Sequence, residues 1–196
     1  MFWSARLCIL GLAVAPWLSA QPVSWHIDPL HSLAEFSVRH MMISTVRGQF
    51  GGVKGAIVYD PKNPVASTVE ATIDCTTVNT GEPKRDADLK SAEFFDIKRY
   101  PTMTFKSTHV EVAGPGKLQV TGNLTINATT RPVVLNVDGP TGPIKDTQGR
   151  EKLGLNATTK VSRKEFGILY NPIMETGGVA VSDEVQINLD IELVKN

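Results

Sequence analysis

The chain has 196 residues, of which 41% are hydrophobic, 20% charged and 7% aromatic, the composition of a globular protein and not of a disordered or fibrous one. Twenty Lys and Arg balance twenty Asp and Glu, and no run of five like charges forms a basic arm or acidic tail. The positive field that draws a protein to a phosphate backbone is missing, so nucleic acid is not an expected partner.

Residues 1–20 read as a cleavable secretory signal. Arg6 precedes the apolar stretch from Leu7 to Val14, and Pro16 and Ser19-Ala20 precede Gln21-Pro22, the order of charge, apolar core and small residues that signal peptidase requires. The apolar stretch is shorter than the roughly 20 residues that cross a bilayer. Cleavage after Ala20 is the expectation, with an uncleaved anchor as the alternative. Cys8 falls inside this segment and leaves Cys75 alone, so no intramolecular disulfide is expected and the fold must stand on its core.

Residues 21–196 read as one domain, and their periodicity is almost all of period two, the signature of half-buried strands. Strands are predicted over Ser24 to Ile27, over Ala34 to His40, and across Val46 to Tyr59 with a bend at Gly51-Gly52. Val69, Ala71, Ile73 and Cys75 share a face, as do Met103 and Phe105. The alternation recurs in Val120 to Ile126, Val133 to Val137, Leu153 to Val161, and most clearly in Val185, Ile187, Leu189, Ile191 and Leu193, where polar residues fill every intervening position. One short helix is predicted over Arg85 to Asp96, below Pro83. Turn signals at Asp60-Pro61, Asn63-Pro64, Asn79 to Gly81, Gly114 to Gly116, Gly139-Pro140, Gly142-Pro143 and Gly177-Gly178 separate the strands. Eight to ten antiparallel strands make either a barrel or a sandwich, and periodicity does not choose between a bore that holds a ligand and a filled core.

The residues also carry a resemblance. Asp28 to Ser32, Phe36 to His40 and Val46 to Phe50 are followed at characteristic spacing by Arg85-Asp86, Leu89, Ser91, Phe94 to Asp96, Tyr100-Pro101 and Thr104 to Ser107. Gly122 to Ile126, Thr130 to Val133, Ser162 to Gly167 and Val181 to Val185 complete the set. Over residues 24 to 195 this resembles the YceI-like family of exported lipid- or polyisoprenoid-binding proteins. The resemblance implies an all-β, lipocalin-like extended barrel of about eight strands with one short helix and a long apolar tunnel. It also implies a periplasmic location and the binding of a polyisoprenoid, isoprenoid quinone or similar amphiphile, with no cofactor and no catalysis. One position departs from the family pattern: Ala87 stands where a His is usual.

On that reading the tunnel is lined by Phe36, Val38, Phe50, Ile73, Phe94, Phe95, Met103, Phe105, Leu124, Ile126 and Leu135, with His40, Arg85 and Asp86 toward a polar head group. Phe94 and Phe95 either plug the barrel or line it. Arg85, Asp86 and Asp96 either order a lid or tie the helix down as charged pairs. Asp28, His31 and Ser32 have the residue types of a nucleophilic triad, but neighbours on an extended segment point to alternate faces, and a self-bonded turn is expected instead. His26, His31, His40 and His109 lack metal-ligand spacing. Cys75 is expected as a small core residue on its strand, and Arg163, Lys164 and Phe166 as a corner; of the three sequons, at Asn123, Asn127 and Asn156, the first two are expected as outward polar positions. The partner is an amphiphile, with a homodimer left open. A non-catalytic β-sandwich with a filled core is the alternative, and an enzyme comes third.

Overall fold

The computed structural model describes residues 23–172 and 179–196; the signal segment of residues 1–20 and the Gly177-Gly178 turn signal lie outside them. Ten strands occur in chain order: β1 (Val23–Ile27), β2 (Leu33–His40), β3 (Ser44–Phe50), β4 (Lys54–Tyr59), β5 (Thr68–Asp74), β6 (Thr102–Gly114), β7 (Lys117–Ile126), β8 (Thr129–Lys145), β9 (Glu151–Ser162) and β10 (Glu184–Lys195). One helix, α1 (Pro83–Lys90), and short 3₁₀ turns interrupt them.

All pairings are antiparallel, and the order β1-β4-β5-β6-β7-β8-β9-β10 closes through β1 against β10. The hairpin β2–β3 continues the same wall, because β10 pairs with β2 over Gln186 to Asp190 and with β1 over Leu193 to Lys195. Thus β1 with β2, and β3 with β4, are two long strands each broken by a bend. The ten segments make an eight-stave barrel, and closure removes the open edges that a sandwich would leave. The bend between β3 and β4 falls at Gly51-Gly52, where Gly52 has φ +64°.

One end of the barrel holds Val23, Asn196 and the β4–β5, β6–β7 and β8–β9 connections. The other, here the lid end, holds the β2–β3 and β7–β8 turns, the long β5–β6 connection with α1, and the β9–β10 connection. Period two is kept along most staves and is reset by bulges in β6 and β8. Val185, Ile187, Leu189 and Ile191 face the bore while Glu184 and Asp190 are exposed. Many inward residues, among them Phe36, Ile73, Leu124, Leu135 and Leu189, are only half-buried. In a filled sandwich they would be sealed against the opposite sheet, so the bore is open and that alternative fails.

Three local expectations are corrected. Gly139-Pro140 and Gly142-Pro143 do not end a strand: β8 runs through both, and the ladder absorbs the missing proline donors as register shifts between Asp138 and Ile144. The helix starts at Pro83 and stops at Lys90, because Glu82 caps its start by accepting from Lys84 N–H and Ser91 closes its end on Asp88 O. Cys75 lies beyond β5 in a 3₁₀ turn, where it is 1% exposed and its N–H is taken by Pro101 O.

Candidate functional site: an apolar tunnel with a polar rim

The bore is a cavity of about 590 Å³, within the range of small-molecule pockets. All eleven apolar residues expected to line it do so: Phe36, Val38, Phe50, Ile73, Phe94, Phe95, Met103, Phe105, Leu124, Ile126 and Leu135. Two of the rings are placed by glycines. A Cβ on Gly48 would come within 2.4 Å of Phe36 Cζ, and one on Gly122 within 2.4 Å of Phe105 Cζ. Each ring therefore lies along the wall over a bare stretch of the neighbouring strand instead of across the bore, and the tunnel stays clear.

The lid end is closed by aromatic contacts. Phe95 meets Phe50 edge-on at 5.2 Å between centroids, and Phe50 meets Phe36 at 5.4 Å. Phe94 lies 5.0 Å from Tyr170 of the β9–β10 connection. Asn127, at φ +54° in the β7–β8 turn, donates from Nδ2 to Phe94 O at 2.8 Å. This sequon asparagine therefore holds the lid segment instead of simply facing outward. Phe94 and Phe95 both plug the end and line the tunnel.

Polar groups gather at the rim. His40, Arg85, Asp88, Glu93 and Tyr170 line the lid end of the cavity. Arg85 donates from Nε to Thr80 Oγ1 at 2.8 Å and from Nη2 to Thr80 O at 3.0 Å. Asp86 does not line the cavity: its Oδ1 accepts from Thr80 N–H at 2.8 Å and from Thr80 Oγ1 at 2.6 Å, so it anchors the loop before α1 and is not in head-group reach. Ala87 is exposed on α1 and does not border the cavity. Asp96, buried at φ +43°, pairs with Arg99 within the lid segment.

Arg163 was expected only as part of a corner. It is 6% exposed and also borders the cavity. Its guanidinium donates to the carbonyls of Ile168 at 2.8 Å, Tyr170 at 2.7 Å, Val181 at 3.3 Å and Ser182 at 3.0 Å. Burial lowers its pKa and Asp183 opposes that shift; an arginine remains charged here. It ties both ends of the β9–β10 connection to the barrel.

The Asp28 segment forms a turn, with Leu30 N–H donating to Asp28 Oδ1 at 3.0 Å. His31 Nδ1 lies 3.0 Å from Asp28 Oδ2, but Ser32 turns away and its Oγ accepts from Glu192 N–H at 3.0 Å, so no triad forms. The hydrogen bond from His31, helped by Leu30 N–H and by the charges of His31 and Lys152, holds the Asp28 carboxyl at about 2 against burial. Glu192 joins Asp28 and His31, with ligand-type atoms all within 4.8 Å of one another, a grouping that sequence spacing could not show because Glu192 arrives from β10. The buried Lys152 ammonium already supplies its cation: it pairs with Glu192 and lies 3.5 Å from Asp28 and 4.0 Å from Asp146. Its own pKa is raised, first by the Glu192 hydrogen bond. The cluster is a structural tie between strand ends and not a metal centre.

A closed antiparallel barrel around a mostly apolar tunnel defines a protein of lipocalin-like build. The chain belongs to the YceI family, matching the YceI-like domain over residues 25–193. It is 37% identical over 166 residues to a UPF0312 protein of Vibrio cholerae, covering 83% of this chain and 87% of that one. In fold it is similar to BcnA of Burkholderia cenocepacia, with a TM-score of 0.73, 24% identity, and coverage of 85% of this chain and 98% of that one. It is similar too to a polyisoprenoid binding domain from Saccharophagus degradans, with a TM-score of 0.64, 14% identity, and coverage of 90% and 100%.

Proposed function

We propose that the protein binds a long-chain amphiphile, a polyisoprenoid or isoprenoid quinone, with its tail in the tunnel, and acts as a periplasmic carrier or sequestering protein after export of residues 21–196. The observation that carries this is the cavity itself: about 590 Å³, walled by aliphatic and aromatic side chains along its length and polar near its rim. Each methylene buried there gains about 0.8 kcal/mol as an upper figure. Ordering the flexible chain offsets much of that gain, so affinity depends on tail length and head-group recognition is loose. His40 and Arg85 stand where the head group would rest, and Arg85 Nη1 makes no hydrogen bond to a described residue. The polyisoprenoid binding domain from Saccharophagus degradans has the same fold, which supports the ligand class.

The test is to purify residues 21–196 from a periplasm without detergent, extract with solvent and weigh the extract by mass spectrometry. Near-stoichiometric isoprenoid lipid is expected. A lipid-free protein that also refuses added long-chain quinone would overturn the reading.

A further inference from the structure

Among the described residues, the β2–β3 turn is where two consecutive non-glycine residues take left-handed backbone. Met41 at φ +50° and Met42 at φ +60° are consecutive left-handed residues, closed by Ile43 N–H on His40 O at 3.1 Å. A turn with this geometry favours Asn-Gly, since glycine meets no Cβ clash there and asparagine tolerates the region. Here both positions are methionine, and the residue after them is isoleucine. Met41, Met42 and Ile43 are 43%, 54% and 79% exposed. The turn thus forgoes backbone ease in order to present three large apolar side chains to the surroundings.

The turn is not alone. Leu169, Tyr170 and Val179 of the β9–β10 connection are also exposed large hydrophobics. Val179 is held beside the turn by Met41 N–H on Ala180 O at 2.8 Å, Ser182 N–H on Arg39 O at 2.9 Å, and the bridge between His40 and Val181, and Tyr170 is tied in through Arg163, which donates to the carbonyls of both Tyr170 and Val181. The patch is continuous with the tunnel rim, because His40, Tyr170 and Val181 belong to both. Arg39 and Arg47 are exposed on the same hairpin, and Arg39 fixes the tip by donating from Nη2 to Met42 O at 2.8 Å.

We propose that this patch is a membrane-docking surface, which inserts Met41, Met42 and Ile43 into the interface of a bilayer carrying anionic lipid and sets the tunnel rim against it. The proposal rests on the carrier reading above and adds how cargo enters. A tail that belongs in an apolar tunnel resides in a bilayer beforehand, and an apolar patch beside the polar rim sets the tunnel mouth against that bilayer, so the tail passes with little exposure to water. A hairpin tip projects beyond its last paired residues, His40 and Ser44. Such a convex apolar tip suits a fluid interface, which closes around it, better than a rigid protein surface, which would need a matching hollow. The two arginines add attraction to anionic head groups.

The test uses residues 21–196, which contain every described element of the barrel, with vesicles of phosphatidylethanolamine and phosphatidylglycerol. Two variants are compared: Met41→Asn with Met42→Gly, and Ile43→Asp. Wild-type protein floats with the vesicles, and in both variants the bound fraction falls about tenfold. The Asn-Gly variant melts no lower than wild type, which separates lost docking from lost folding. Transfer of a long-chain isoprenoid quinone out of the vesicles slows by a similar factor, while uptake of that quinone from a cyclodextrin complex without vesicles is unchanged. Wild type that does not float, or variants that float equally well, would overturn the proposal. A concentration-dependent dimer that both variants abolish would overturn it in favour of self-association. Failure of wild type to take quinone even from cyclodextrin would instead refute the carrier reading, with flotation still deciding docking.

Discussion

Ala157 offers the sharpest perturbation of the tunnel. It is 2% exposed, lines the cavity midway along β9, and lies between Val137 of β8 and Leu189 of β10. Phenylalanine there sets a ring across the bore. At about 24 cal/mol per Å³ of apolar void, the 590 Å³ cavity corresponds to a gross gain of about 14 kcal/mol when filled. With association and ordering costing about 6 kcal/mol, toward the low end of the 4–15 kcal/mol range, the net is about 8 kcal/mol, a micromolar dissociation constant. A barrier at mid-bore halves the gross gain to about 7 kcal/mol while the fixed costs remain, and the net falls to about 1 kcal/mol, too weak to register. The ring itself occupies void, so overpacking costs less than about 3 kcal/mol. Thermal unfolding reads the result. Wild type with quinone at a hundredfold excess over its dissociation constant gains about 2.7 kcal/mol, raising Tm by roughly 5–10 °C for a chain of this length. Ala157→Phe shows a folded transition and no ligand-dependent rise. A folded variant whose Tm rises as much as wild type would mean that the tail does not lie in the tunnel.

The Asp28 carboxyl, held below its unfolded value of 3.8 at about 2, contributes stability that is present above the unfolded pKa and is lost as pH falls from about 4 through about 2. Discounted for solvent around His31, the contribution is about 1 kcal/mol. His31→Ala therefore lowers stability at neutral pH by about that amount and flattens the acid limb between pH 4 and 2, as measured by urea melts across pH; an unchanged limb would refute the assignment. Arg163→Met leaves four carbonyls with no guanidinium partner and costs about 3 kcal/mol or more, read from the urea midpoint, with a loss below 1 kcal/mol counting against it. Burial raises the Cys75 thiol to about 11, so a disulfide reagent at pH 8 leaves it untouched in native protein and modifies it in urea. Rapid labelling of native protein would place it outside the core.

The period-two runs made most of the barrel legible, because each stave has one face in the bore and one in solvent, and that difference is written in every second residue. Val185 to Leu193 is the plainest case. Closure was not legible, since whether β1 meets β10 depends on strand tilt and stagger that side-chain polarity does not encode. The Gly-Pro pairs in β8 misled for a related reason: locally they are turn signals, yet the ladder of β9 overrides them by shifting register. At the site, apolar lining followed from parity and from the family resemblance. Asp88, Glu93 and Tyr170 were missed because rim membership depends on how three connections fold over the lid end. Asp86 was misassigned because it lies next to Arg85 in sequence, while their side chains serve different partners, the rim and the Thr80 loop. The Lys152 cluster draws on four separate stretches of chain, and no local pattern announces it.

The seam of the barrel joins residues from opposite ends of the chain: Trp25 pairs with Lys195, and Ile27 with Leu193. A ribosome making this chain therefore emits every other stave before any closed cylinder can exist, because β10 is needed by β9, β2 and β1 alike. Contacts of such long sequence separation make folding slow. Until then the apolar inner faces are open to water and to chaperones. The same topology that makes an edge-free container leaves it open-sided until its last stave is in place, so closing the wall and sealing the bore are one event.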